Sequence, residues 1–394
     1  NPSSESTAII NRARTVSPIY VTGGLFSKAV SANYIPNGYH STDNTDPDTS
    51  GEYPFKVEAE GDPVVSLKIG DGESKNYPSL EAAVGIANGA DDDCVITLIA
   101  DEYTIAKSAE VSNPSKTVTL DLAGKTLKQN GTARFGVTTG GTLIITDSSS
   151  ERNGTLTQSS TSTGSNTISI DAGSLVIQGG TITQVNGATV AAVLASGTAN
   201  VTVSGGEILA TSSANDAIQF SGSGDLTISG GTVEAVGTSS ENNSNAVQFN
   251  STGTLAISDD AIVKNGKRTL YVNNGTINIT GGTISNNAGV AIYTYGTNKC
   301  ALTISDGTIT SQTSNAVYCT STSTDPSTVT VSGGKFKRGG GGVISKEGTC
   351  TSIISVTGGL FNVAPNSAFI DGVHAVADNQ TVIDAYLGTG TDDE

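Results

Sequence analysis

Three tyrosines, Tyr271, Tyr293 and Tyr318, recur at intervals of 22 and 25 residues in similar settings: Leu270-Tyr-Val272, Ile292-Tyr-Thr294 and Val317-Tyr-Cys319. In an extended chain the flanking side chains of such a triplet turn to one face and the middle one to the other. If the chain stacks at that interval, the rings become an outward ladder, with Tyr295 a step further along the same segment. Aligning Ile218-Gln-Phe220, Val247-Gln-Phe249 and Val343-Ile-Ser345 extends the outward stripe to Gln219, Gln248, Tyr271, Tyr293, Tyr318 and Ile344. The same stretch is basic. Residues 264–346 hold Lys264, Lys267, Arg268, Lys299, Lys335, Lys337, Arg338 and Lys346 against Asp306 and Asp325, a net of +6. Aromatic faces with hydroxyls and cations beside them suit a sugar chain, an acidic one above all. The candidate ligand-binding set is therefore Tyr271, Tyr293, Tyr295, Tyr318, Lys267, Arg268 and Lys299. A ladder of this kind also serves two blander ends, plain stacking between repeats and contact with another subunit.

Carboxylates offer a different chemistry. Inverting glycoside hydrolysis needs two of them about 6.5–9.5 Å apart, and the retaining reaction about 5–5.5 Å. Glu207 and Glu234 fall on adjacent repeats, Asp259 and Asp260 replace a Gly pair, and Asp216 lies beside a strand. No Arg, Lys or His is placed by the pattern to complete such a site, so a non-catalytic chain is the better expectation. No cofactor motif or metal site is expected either. Asp43, Asp46, Asp48 and Glu52, or Asp91-Asp92-Asp93, offer oxygen ligands without EF-hand spacing. Two distant histidines and four dispersed cysteines do not compose a zinc site. Cys319 is expected inside; Cys300 and Cys350 lie too far apart to bridge, and Cys319–Cys350 requires the loop after Ser345 to fold back.

The elements that would position these residues are repeats. Between Gly154 and Gly359 one phrase returns nine times: apolar residues, a Gly-Gly or close variant, then Thr-Ile or similar. The second member of each pair is Gly154, Gly180, Gly206, Gly231, Asp260, Gly282, Gly307, Gly334 and Gly359, at intervals of 22 to 29 residues. A period in the twenties with strand chemistry in every repeat means a solenoid. Three short strands per repeat describe a parallel β-helix. Two residues past the glycines, Ile182, Ile208, Val233, Ile262, Ile284, Ile309, Phe336 and Phe361 are all apolar and are expected to face the core.

The expected organisation is a polar arm at 1–19, a closing element of a preceding module or cap at 20–62, first coils at 63–130, the β-helix at 131–380 and an acidic tail at 381–394. Within the first coils Ser79 is a fitting N-cap for a helix near 80–88 that lies over the open end. The closing element is argued from duplication. Val21-Thr-Gly-Gly-Leu-Phe26 recurs letter for letter as Val356-Thr-Gly-Gly-Leu-Phe361, followed by Tyr34-Ile35 against Phe369-Ile370 and by Gly38-Tyr39-His40 against Gly372-Val373-His374. Tandem modules or head-to-tail self-association are the partners this implies.

Composition narrows the function classes. The net charge of −17 disfavours nucleic acid. No apolar run approaches the ~20 residues of a membrane span. No secretory signal opens the chain, which also has neither Met nor Trp, as expected of a processed chain or an excised piece.

Three stretches carry a family resemblance: Lys68-Ile-Gly-Asp-Gly72 leading into Tyr77-Pro-Ser-Leu-Glu-Ala-Ala83; Thr117-Val-Thr-Leu-Asp-Leu-Ala-Gly-Lys-Thr-Leu127; and the Gly-Gly-Leu-Phe closing element. With the repeats, the chain resembles the right-handed parallel β-helix region of adhesin-like cell-surface proteins of Gram-positive, often gut-dwelling, bacteria. The resemblance implies an all-β solenoid and an extracellular or cell-surface location, and carries over no functional residue. The resulting expectation is a non-catalytic surface rod that binds a microbial or host glycan, or another partner, through the tyrosine stripe. Alternatives are a structural subunit of a surface filament, spike or virion appendage, and a polysaccharide lyase or glycoside hydrolase.

Overall fold

Glycine corners and alternating aliphatics set the architecture. A computed structural model describes residues 20–130, 133–158, 165–185, 190–212, 215–237, 244–370, 373–377 and 382–384; the arm at 1–19 and most of the expected tail lie outside them. The chain is a β-solenoid of about ten turns, with parallel pairing about 25 residues apart and one short helix near its start. One aliphatic column shows the stacking. Leu156, Ile182, Ile208, Val233, Val263, Ile284, Ile309, Phe336 and Phe361 each pair in register with the next. All nine are buried, and burying such side chains is worth about 1.5–3 kcal/mol apiece.

The corner beside this column excludes side chains. Gly206 sits at φ +72°, and a Cβ there would lie 2.6 Å from the Gly180 carbonyl oxygen of the coil below. Stacked corners of this shape admit little but glycine.

One coil departs from the expected pattern. Ile262 is exposed, and Val263 takes its place in the column. The corner there is Asp260-Ala261, one residue later than the Gly pattern suggests: the Ala261 carbonyl accepts from Thr283 N, as the Gly154 carbonyl does from Thr181 N. Asp259 takes up the additional residue with a φ of +50°.

Earlier coils close their corners with carboxylates. Asp121 accepts from the backbone N–H of Ala123 and of Ser148, and from the Ser148 hydroxyl. Asp147 accepts from the N–H of Gly124, Ser149 and Gly154. Burial acts against ionising Asp147, but these donors outweigh it and hold its carboxyl below the usual range. They give a structural reason for the Asp-Leu-Ala-Gly run at 121–124.

The N-terminal end is covered. Strand Val65–Ile69 runs antiparallel to Cys94–Leu98, so it blocks the ladder instead of extending it. Helix Leu80–Asn88 is capped by Ser79, whose hydroxyl accepts from Ala82 N, and buries Leu80, Ala83, Val84 and Ala87. The fully buried Glu81 accepts from the Tyr103 hydroxyl and from the N–H of Ala106 and Lys107, which ties the helix to the first coils. Residues 20–60 form a separate antiparallel sheet of strands Gly24–Phe26, Phe55–Ala59 and Tyr39–Asp43, over a small core of Val21, Val30, Ile35 and Val57. Lys107 Nζ fastens it to the solenoid by donating to the Ala32 and Ile35 carbonyls. At the other end, His374–Val376 pairs with Val382–Asp384, so a strand occupies the start of the expected tail. Among the described residues no helix is long and apolar enough to cross a membrane.

Candidate functional site

The third strand of each turn carries the candidate residues. Gln219, Gln248, Tyr271, Tyr293 and Tyr318 pair in register on five successive coils. Their neighbours Ile218, Val247, Leu270, Ile292 and Val317 are fully buried, so the alternation places the stripe outward as expected. The stripe stops one coil early. Ser345, not Ile344, pairs with Tyr318, and Ile344 is buried opposite Val317. The glycine run 339–342 lets the register move by one residue, which delivers the larger apolar side chain to the core.

The rings form a cluster instead of an open platform. Tyr271 and Tyr293 stack with centroids 5.8 Å apart, and Tyr295 stacks on both, at 5.5 Å from Tyr271 and 6.2 Å from Tyr293. Tyr318 joins Tyr293 at 5.7 Å with its plane tilted by 55°. Because the faces cover one another, the outer edge of the stack offers phenol hydroxyls and ring edges. Tyr295 is the most exposed of the large apolar side chains in this cluster, at 47%. The Tyr293 hydroxyl is fixed by accepting from Thr320 Oγ1 at 3.2 Å.

Arg268 organises the cluster. Its guanidinium carbon lies 4.7 Å from the Tyr271 centroid and 4.5 Å from that of Tyr293, a double cation–π contact. Burial pushes the Tyr271 hydroxyl up to about 12, with Arg268 opposing the shift. The backbone register also puts Asp216, Asn245 and Arg268 in one axial column, two residues before the inward-facing Ile218, Val247 and Leu270. Asn245 donates to Asp216 Oδ1 from both its backbone N (2.8 Å) and its Nδ2 (2.9 Å). Burial pushes the Asp216 carboxyl up to about 7, while the two Asn245 bonds and Arg268 pull it down. The sequence reading overlooked this column, although an Asp, Asn, Arg series at one offset from the strand pattern was there to be seen.

The other expected members contribute less. Lys299 Nζ pairs with Asp325 at 2.9 Å, and Lys264 Nζ with Glu234 at 2.8 Å, so part of the basic stretch is neutralised locally. Lys267 adjoins Arg268 in the chain and is half-buried, with its backbone N donating to the Ser244 carbonyl.

The candidate carboxylates do not converge. Glu207 faces Thr232 and Glu234 faces Leu209, so the two acids are staggered by two residues on neighbouring strands. Glu234 is further engaged by Asn265 Nδ2 at 2.7 Å. Asp259, Asp260 and Asp306 line a shallow open depression at the corner with Lys335. Acids in the loops serve local turns and strands: Asp46 Oδ1 accepts from Asp48 N, and Asp93 Oδ1 from Thr117 N. Among the described residues no group of three or more His, Cys, Asp or Glu is arranged to hold a metal ion. His40 lies 3.5 Å from Glu58 and 3.2 Å from Glu60. All four cysteines are free and buried, and burial pushes the Cys319 thiol up to about 12.

These features define the class as a β-solenoid with an aromatic–arginine cluster on one face. Comparison of the chain with protein-family models, with curated proteins and with solved structures finds no match in any of the three.

Proposed function

We propose that the chain is a non-catalytic extracellular surface rod of the adhesin-like kind, which holds an acidic glycan along the Tyr271–Tyr293–Tyr295–Tyr318 cluster. The observation that carries this reading is Arg268 seated against two stacked rings. A guanidinium fixed in that way is pre-organised for a carboxylate or sulfate, and the phenol hydroxyls beside it supply hydrogen bonds to sugar hydroxyls. The long, rigid stack of coils suits presentation of such a face away from an anchoring surface. The staggered and locally paired acids give no matching support to hydrolysis.

A glycan array of acidic polysaccharides tests the reading. Tyr293→Ala and Arg268→Ala are expected to weaken retention by about five- to thirtyfold, since a lost aromatic or cation–π contact is worth ~1–2 kcal/mol. Lys299→Ala, whose charge already serves Asp325, is expected to change little. Retention that is unaltered in both Tyr293→Ala and Arg268→Ala removes the cluster as the binding face.

A further inference from the structure

The duplicated segment is duplicated in three dimensions as well. Gly24 and Gly359 have φ of +118° and +116°, and each lies beneath the ring of the phenylalanine two residues later. Short 3-10 turns follow at Ala32–Tyr34 and Ser367–Phe369, capped by Ser31 and Asn366, and both run into an extended isoleucine. Val21 N donates to the Tyr34 carbonyl, and Val356 bridges to Ile370 in the equivalent place. An antiparallel pair then packs beside each copy, Tyr39–Asp43 with Phe55–Ala59 and His374–Val376 with Val382–Asp384.

The two copies differ in what lies against them. The C-terminal strand Ile353–Phe361 pairs in parallel with Thr328–Lys337 of the coil before it. There Gly358 is buried, and a Cβ on it would meet the Ser332 carbonyl oxygen at 2.2 Å. Phe361 stacks on Phe336 with centroids 4.9 Å apart. In the N-terminal copy, Gly24–Phe26 is an edge strand whose paired neighbour is Phe55–Ala59. Gly23 and Gly24 are exposed, a Cβ on Gly23 would find nothing nearer than 3.9 Å, and Phe26 is only partly covered. A corner shaped to fit under another coil is present among the described residues without that coil.

We infer that residues 20–62 close a second β-solenoid unit: the free edge at Val21–Phe26 receives, in parallel, a final coil bearing a Gly-Gly-x-Phe corner like that of Thr328–Lys337. The occupant is a unit joined ahead of this one, with Phe26 stacking on its corner phenylalanine and its backbone carbonyl passing over Gly23. Residues 20–62 are then a junction, with one side clamped to the first coils here through Lys107 and the other seated on the preceding rod. The inference is independent of the glycan reading.

The test is a tandem chain in which residues 63–354 are placed directly before Tyr20 of the protein. Amide exchange of those residues among 22–26 whose N–H groups face away from Phe55–Ala59 is expected to slow by at least about tenfold relative to the single chain, because those groups gain ladder partners. Gly23→Val is expected to leave the melting temperature of the single chain unchanged and to restore fast exchange in the tandem. Equal exchange in tandem and single chain overturns the inference. So does concentration-dependent protection of these amides in the single chain with dimers in light scattering, which would make a second free copy the occupant. Should the tandem fail to fold, the full chain with residues 355–394 replaced by residues 20–62 decides: melting as the wild type does supports the closing role, and aggregation refutes it.

Discussion

Asp216→Asn is expected to stabilise the protein by about 2–4 kcal/mol at pH 8 and to change its stability little at pH 4. The carboxyl is buried against Asn245, and burial pushes it up to about 7 from an ordinary value of 3.8. A raised pKa means that the folded chain holds this proton more tightly than the unfolded one. The associated stability is complete below the ordinary value, declines through the interval up to about 7, and is lost above it. That interval of roughly three pH units corresponds to at most ~4 kcal/mol, with the Asn245 bonds and Arg268 already opposing the burial. Asparagine keeps the Oδ1 acceptor used by both Asn245 donors and removes the charge. Urea unfolding of the two proteins at pH 4, 6 and 8 measures the difference. A gap between them that does not change with pH would show that Asp216 is ionised throughout and that the Arg268 column offsets its burial.

Phe249→Ala is expected to cost about 3–5 kcal/mol, within the range for removing a fully buried aromatic side chain. Phe249 stacks on Phe220 with centroids 5.5 Å apart and follows it in one inward column, Ala195, Phe220, Phe249, Val272 and Thr294. Two rings side by side in this column are flanked by smaller side chains, so neighbouring coils have no spare bulk to fill the gap. The loss should also be local, because coils touch mainly their immediate neighbours. Exchange should accelerate in strands Asp216–Gly222, Asn245–Ser251 and Arg268–Val272 while Cys94–Leu98 keeps its protection. Uniform acceleration along the chain would mean that the solenoid opens as a single unit.

The glycine period and the aliphatic alternation were sufficient to read the solenoid, because both follow from constraints each coil must meet separately. The helix was legible for a similar reason: Ser79 and the spacing of Leu80, Ala83, Val84 and Ala87 are local signals. The two register errors, at Ile262 and Ile344, have a common origin. Asp259-Asp260 stands where the period places Gly-Gly, whereas Ala261 makes the corner bond and Asp259 adopts the left-handed turn. The run of four glycines at 339–342 is compatible with two alignments, and the pairing of Ile344 with Val317 chooses between them. In the stripe, the alternation gave the outward direction of Tyr271, Tyr293 and Tyr318. It did not show that the rings would cover one another's faces, since that depends on side-chain torsions. Nor did it show Lys299 turning to Asp325, a partner 26 residues away on the next coil.

A rod held together by lateral bonds between successive coils responds to tension in a particular way. Pull its two extremities apart and the rungs are loaded one after another, like a zip, because each rung is fastened only to those beside it. Resistance then resides in the terminal fastenings, Glu81 and Lys107 at one extremity and the Phe336–Phe361 stack at the other. Once either yields, the remainder can run out as slack chain, so under tension the solenoid is expected to lengthen before it breaks.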